Sequence, residues 1–459
     1  MTEPRRTLHL NAFLYYAGHH EAAWRDPASG ADRLTDLAYW TDLARTAERG
    51  LLDAVFLADA PVYDDRQVRF SALHALEPIS LLSALAAVTA HIGLIATAST
   101  TYTEPYNLAR QLATLDHLSG GRAGWNIVTT AWPQAAAHFG RPDHPGPARR
   151  YARATEYVEA IGGLWDGWDD DAFQVDRARG VYADVAHIRP AAYSGRDIKV
   201  SGALNLPRSP QGRPVYVQAG SSDTGRDFAA RFAEVIFTAQ QDESGARAFA
   251  EDVRRRAVRF GRDGADIAVL PGLSPYVGDT RAHAEDLART LNGHIDRRYG
   301  EAYIAEYAGV DRAALAALDL GEPVPVGIFT PGDDPTDNSV SRRTVLREWV
   351  RATRPTLLDL LGFFAGARGH LVVVGTPTRV ADVIETWFTS GAADGFNIMP
   401  PLLPGGLTDF VDKVVPILQE RGLFRTAYED GTLRDRFGLA RPDIHWQRDV
   451  APYLAAPGE

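Results

Sequence analysis

Short apolar runs alternate with amphipathic stretches along most of this chain, and that order restricts its fold more than any other feature. LHLNAFL at 8–14, AVFLAD at 54–59, IGLIATAS at 92–99 and RAGWNIVTT at 122–130 read as buried strands, each followed by a segment of helical spacing. VYVQAG at 215–220, VIFTAQ at 235–240, IAVLPGL at 267–273 and GFNIMP at 395–400 bring the series to eight. Between them, Leu34, Leu37, Leu43 and Ala47 share one helical side, as do Leu108, Leu112, Leu115 and Leu118. Such alternation is the pattern of parallel βαβ units, and eight of them fit an α/β (β/α)8 TIM barrel better than an open doubly wound sheet. The 459 residues accommodate one barrel with insertions, so the expected layout is a single domain over 1–445 and a C-terminal tail at 446–459.

Two long segments interrupt the series. One, about 166–212, lies between strands 4 and 5 and contains DGWDDD and SGALNLPRSPQGRP; the other, about 299–376, lies between strands 7 and 8 and contains LGEPVPVGIFTPGDDPTDNS. Long segments of this kind in a compact domain usually serve as lids or binding loops, and a lid over the strand C-termini is the expectation for the second. The apolar stretch ISLLSALAAVTAHIGLIATA at 79–98 is long enough to cross a bilayer. His91 and Gly93 divide it into a helix-like and a strand-like half, which reads as a buried pair instead.

Composition removes several function classes. A net charge of −11 without a long basic run argues against nucleic acid as a partner. With no cysteine there is no disulfide framework, no thiolate metal site and no cysteine nucleophile, so redox chemistry requires a bound cofactor. No G-x-S-x-G elbow, P-loop or G-x-G-x-x-G after the first strand is present. His9, His19, His20, His138 and His144 form no tight metal-ligand pattern, so no metal is expected. The N-terminus reads as mature sequence without a leader, which makes the expected location cytoplasmic.

In a barrel, ligands bind at the C-terminal ends of the strands. Those ends carry Asp59, Thr97, Ser99, Asn126, Thr129, Ser221 and Ser222, a set suited to a ligand that takes hydrogen bonds more than charge. The hinge GSSDTG at 220–225 separates a strand from a helix. Its hydroxyls cap the helix, and the same unpaired N–H groups and dipole make an anion seat; both readings stand on this stretch alone. Trp125, Trp132, Phe139, Phe13 and Tyr63 are candidates for an aromatic wall, and His9, Arg141 and Arg342 for holding a carboxylate. His9 and His138 are the candidate catalytic residues.

Several long motifs carry a resemblance: GLIATASTTYTEPYNLARQLATLDHLSGGRAGWNIVTT, RYARATEYVEAIGGLW, PVYVQAGSSDTGRDFAARFAEVIFTAQ and GAADGFNIMPPLLPGGLTDFVDKVVPILQERGLFR. In this order, from about residue 6 to 440, the chain resembles the nitrilotriacetate monooxygenase component A group of bacterial-luciferase-like, two-component flavin-dependent monooxygenases. The resemblance implies a barrel that uses reduced FMN supplied by a separate NAD(P)H-dependent flavin reductase. Oxygen would add at the flavin C4a and oxidise a small substrate at carbon, nitrogen or sulfur. It puts Asp59, Thr97, Tyr151 and Ser222 at flavin-contacting positions, with Asn126 and Ser221 beside them, and a homodimer or homotetramer is expected. One position departs. Related sequences carry a histidine four residues before the tyrosine of the RY pair, and here Pro147 stands there, with His144 or His138 as possible substitutes. A deazaflavin-dependent oxidoreductase of the same fold, a metal-dependent barrel hydrolase and a flavin-binding protein without activity are the alternatives.

Overall fold

The computed structural model describes residues 6–63, 65–70, 72, 76–329 and 340–444. The expected tail at 446–459 lies outside the described residues. The first four strands are β1 (His9–Leu14), β2 (Ala54–Leu57), β3 (Gly93–Ser99) and β4 (Ala123–Val128). Four short strands follow in two antiparallel pairs, β5 (Phe173–Asp176) with β6 (Val181–Ala183), and β7 (Ala191–Ser194) with β8 (Lys199–Gly202). Then come β9 (Val215–Gln218), β10 (Val235–Thr238), β11 (Ala268–Val277), β12 (Leu371–Gly375) and β13 (Gly395–Ile398).

Eight of these strands, β1, β2, β3, β4, β9, β10, β11 and β13, pair in parallel in that order, and β13 pairs back to β1, so the sheet closes on itself. The closed barrel and its eight strands agree with the sequence reading, and closure leaves no free edge among them. Strand alternation sorts the side chains. Leu10, Ala12, Val55 and Leu94 face the surrounding helices, whereas Phe13, Phe56, Ile95, Val217 and Phe237 fill the interior.

Local signals set the helices around it. Pro105 and Pro147 each open a helix, Pro105–Ser119 and Pro147–Trp165, at the position where a missing N–H costs nothing. Gly120, at φ 67°, stops the first of these in the left-handed region that a side chain would disfavour. The stretch with membrane-like length divides as expected into the helix Pro78–Ala86 and β3. Among the described residues no helix is long and apolar enough to cross a membrane.

The segment between β11 and β13, which includes the insertion expected at about 299–376, is largely helical where it is described. It contains the helices Arg297–Ala308, Arg312–Ala316, Val340–Thr353 and Leu357–Ala367, with a core of their own that includes Ile304, Leu315, Phe329, Leu357 and Phe364. It also contains β12, whose five residues pair with the outer half of β11, Leu273–Val277. LVVVG is a strand-type apolar run, hidden from the count because a ninth strand does not fit an eight-unit alternation. The interval between the helix Pro147–Trp165 and β9 holds the two antiparallel pairs.

The N-terminal end of the barrel is closed by the chain's last described turn. Leu433, Phe437 and Leu439 enter the interior beside Ile95, Val215 and Val235. Arg434 is buried there, its Nη1 and Nη2 donating to Glu234 Oε1 and Oε2 at 2.6 and 3.1 Å.

Candidate functional site

Strand register places the polar residues at the opposite end. Thr97 on β3 lies beside Asn126 on β4, and Asn126 Nδ2 donates to Thr97 Oγ1 at 2.8 Å. Both point into the interior, and Asn126 is only 4% exposed. Among the described residues its carbonyl oxygen Oδ1 is buried without a hydrogen-bond partner, an arrangement that is costly unless a bound N–H or O–H completes it. Beneath lies an aromatic floor: Phe13 meets Phe56 and Phe237 edge-on, with ring centroids 4.6 and 5.3 Å apart.

Next along the rim is the hinge after β9. Ser222 has extended backbone and caps the helix Asp223–Phe232, its hydroxyl oxygen accepting from Gly225 N at 3.1 Å. Ser221 and Ser222 are exposed. Tyr151, near the start of its helix, lies close to Ser222, and burial raises its hydroxyl pKa. A Cβ at Gly220 or Gly225 would lie 3.0 or 2.9 Å from the Tyr151 hydroxyl, so the two glycines leave room for the phenol at the hinge. Gln218 Oε1 accepts from Gly220 N at 2.7 Å, and Ser221 Oγ lies 3.5 Å from Thr238 Oγ1. Uncapped N–H groups, serine hydroxyls, a tyrosine hydroxyl and side-chain-free backbone together form an oxyanion seat that the helix dipole favours. The residues therefore fit a phosphorylated flavin: the hinge suits its phosphate, and Asn126 Oδ1 suits a ring or ribityl donor. The sequence candidates Thr97 and Asn126 are brought together, as are Tyr151, Ser221 and Ser222.

Asp59, just past the end of β2, is half-buried; burial, with Glu77 as a second negative charge, pushes its carboxyl up to about 6. Unlike the hydroxyls and the amide around it, this carboxyl changes between donor and acceptor-only forms as pH passes through about 6.

The two candidate catalytic histidines fare differently from the expectation. His9 faces the barrel interior but opens β1 at the N-terminal end, where its Nδ1 lies 3.3 Å from Asp53 Oδ1 and its ring lies 4.7 Å from that of Phe437. Four residues of strand separate it from Phe13, roughly 13 Å at ~3.3 Å each. His9 is thereby removed from the mouth, and its partner Asp53 also meets Arg425 at 2.5 Å, whose guanidinium holds the Asp53 carboxyl well below the usual carboxylate range despite its burial. His138 ends a four-residue helix on the loop after β4, exposed and without a hydrogen-bond partner among the described residues.

A third histidine, considered in the sequence only as a metal ligand, occupies the mouth. His19, in the loop after β1, is 1% exposed and its ring lies 4.5 Å from Phe13. Its Nε2 is 2.9 Å from the carbonyl oxygen of Phe13. A carbonyl only accepts, so Nε2 carries the hydrogen and Nδ1 is a bare acceptor; Nδ1 is buried with no partner. Burial, helped by the charge of Arg368, holds its pKa well below the ordinary histidine value and the ring neutral. The signal was its position, directly behind a barrel strand, rather than any motif.

The other candidates are scattered. Trp125 packs outside the barrel against Tyr157, Trp165 and Tyr216. Tyr63 is 63% exposed, Trp132 is half-buried, and Phe139 stacks on Tyr102 at 4.7 Å. The side chain of Arg342 lies outside the described residues. His144 Nδ1 meets the Tyr102 hydroxyl at 2.7 Å and its Nε2 meets Arg150 Nη1 at 3.0 Å, so the histidine anchored beside the Tyr151 helix is His144, with Pro147 serving as the first helical residue. Of the metal-type clusters among the described residues, one appears: Asp169, Asp171 and His187, in the interval around β5 and β6, where Arg189 already donates to Asp169 at 3.3 Å. On another side of the rim, the helices after β11 enclose a cavity of about 290 Å³ with the loop after β1, lined by Glu21, Trp24, Phe70, Tyr299, Tyr303 and Phe364 among others.

Residues 12–394 match the family model described as luciferase-like monooxygenase. The chain is 45% identical over 444 residues to N-acetyl-S-(2-succino)cysteine monooxygenase of Bacillus subtilis (strain 168), covering 96% of this chain and 99% of that protein. To nitrilotriacetate monooxygenase component A of Aminobacter aminovorans it is 43% identical over 448 residues, covering 95% and 97%. A riboflavin lyase solved with modified FMN and riboflavin shares its fold at a TM-score of 0.82 and 32% identity, covering 95% of this chain and 96% of that one. With the match spanning most of its length and the closed barrel in common, the chain belongs to the luciferase-like monooxygenase family, in the group of nitrilotriacetate monooxygenase component A.

Proposed function

We propose that this chain is the oxygenase component of a two-component system. It would bind reduced FMN delivered by a separate NAD(P)H-dependent flavin reductase and use O2 to oxidise a small organic substrate at carbon, nitrogen or sulfur. The observation that carries the reading is the hinge at 220–225. Ser221, Ser222 and the amides opening Asp223–Phe232 meet the Tyr151 hydroxyl there, a seat for a phosphate, with the buried Asn126 Oδ1 facing the same mouth. When bound, reduced flavin supplies the electrons that activate O2.

This chain's own residues do the rest. Ser222, Tyr151 and the helix N-terminus hold the phosphate; Thr97 and Asn126 fix the ring system by hydrogen bonds. Phe13, Phe56 and Phe237 keep the floor apolar, and an apolar, closed site protects oxygen chemistry from water. His19 Nδ1 is a neutral acceptor able to take a proton or a hydrogen bond inside that box, which makes His19 the catalytic candidate in place of His9.

The test is oxygen uptake with enzymatically reduced FMN across amines, thioethers and sulfones, with hydrogen peroxide measured in parallel. Substrate-dependent uptake with product carrying one oxygen from O2 supports the reading. Turnover under strict anoxia with a reduced deazaflavin, or activity that follows a bound metal and needs no flavin, refutes it.

A further inference from the structure

Three arginines crowd the rim between the β3 and β4 loops without a carboxylate to answer them. Arg150 is only 4% exposed, yet its guanidinium bonds only neutral groups, with Nη1 donating to His144 Nε2 at 3.0 Å and to the Pro145 carbonyl at 2.8 Å. Its Nε is buried and unpartnered. Arg141 lies over the Tyr102 ring, 5.6 Å from its centroid. Arg153 spends Nε and Nη1 on the carbonyls of Thr100 and Asp197. Among the described residues no acid lies at ion-pair distance from any of the three. Glu104 and Asp197 act on Arg153 only from further away, and Asp143, next to this cluster in the chain, pairs with none of them.

The hydrogen bonds give this cluster a direction. Arg150 has donors only, so His144 Nε2 must accept, and the ring hydrogen sits on Nδ1. Nδ1–H therefore donates to the Tyr102 oxygen, which leaves the Tyr102 O–H hydrogen available to another acceptor. Burying an unanswered guanidinium is costly, and the cost is recovered when a ligand supplies the charge. An arginine fork and an O–H donor match a planar carboxylate, and the Phe139 ring stacked on Tyr102 offers an apolar surface to the rest of such a molecule. The phosphate has its own seat at the β9 hinge.

Building on the proposed oxygenase reading, we infer that Tyr102, Arg141 and Arg150 form a carboxylate-binding site at the barrel mouth, so that the organic substrate is an acid held here by its carboxylate.

The test uses flavin-free full-length protein titrated with sodium succinate at constant ionic strength, followed by thermal shift and calorimetry. Wild type, Arg141→Gln and Tyr102→Phe are compared, and FMN and riboflavin affinities are measured for all three. The expected result is saturable succinate binding in wild type, weakened about tenfold in each variant, with FMN affinity unchanged. No saturable binding in wild type, or equal binding in the variants, overturns the inference. So does a variant that loses FMN affinity but not riboflavin affinity, since the arginines would then serve the cofactor's phosphate. Both variants alter partly exposed or ring-terminal atoms, and their circular dichroism checks folding. Because succinate is titrated without flavin, its failure leaves the oxygenase reading standing, and failure of FMN binding in wild type strikes only that reading.

Discussion

At the scale of single residues, the site depends on a few hydrogen bonds with known direction. Ser222 accepts from Gly225 N and is exposed at the hinge, so Ser222→Ala should weaken FMN binding about tenfold while riboflavin is little affected. The lost cap would lower stability by about 1 kcal/mol, measurable by urea unfolding. His19→Phe removes the buried acceptor without opening the aromatic box; substrate oxidation should fall by about two orders of magnitude, with flavin affinity retained and hydrogen peroxide rising. Asp59 gives a pH test. Its carboxyl is raised in the folded protein to about 6 from 3.8, so folding favours the protonated form. That contribution is complete below about pH 4 and is lost as pH rises through about 6. Asp59→Asn should therefore gain stability over wild type at pH 7.5 but not at pH 4, as read by urea midpoints at the two pH values.

At the scale of elements, periodicity revealed what was regular and missed what was not. Each of the eight barrel strands was legible because a fully buried parallel strand is a short continuous apolar run between turn signals. β12 was not, because LVVVG lies among helices that the Pro/Gly/Asp-rich stretch before it had marked as loop. That Thr97, Asn126 and Ser222 lie toward the C-terminal ends of the strands followed from fold logic; the place of His9 did not, because its strand could be recognised while its position along the strand axis was set by where the barrel begins. The Arg150–His144–Tyr102 chain joins the loops after β3 and β4 to the following helix and leaves no local pattern. The last turn, Leu433–Arg436, has its own role in closing the N-terminal end. Arg434→Met would leave the buried Glu234 with the Tyr216 amide and a distant Arg213, at 3.7 Å. It should cost about 3 kcal/mol in urea unfolding, largely restored by adding Glu234→Met.

At the scale of the whole molecule, chemistry and support occupy opposite ends of one barrel. Paired charges such as Asp53 with Arg425 and Glu234 with Arg434 lock the N-terminal end. Buried polar atoms without a hydrogen-bond partner among the described residues, Asn126 Oδ1, His19 Nδ1 and Arg150 Nε, gather at the C-terminal mouth. The helices between β11 and β13 have a core of their own and meet the loop after β1 around a shared cavity. The central claim, that this mouth grips FMN by its phosphate, is tested most directly by anaerobic titration with reduced FMN and reduced riboflavin, into wild type and Ser222→Ala. The account predicts that wild type binds reduced FMN at least about tenfold more tightly than reduced riboflavin, and that the variant loses most of this difference. Equal affinity for the two flavins in wild type, or a preference that Ser222→Ala leaves intact, would contradict it.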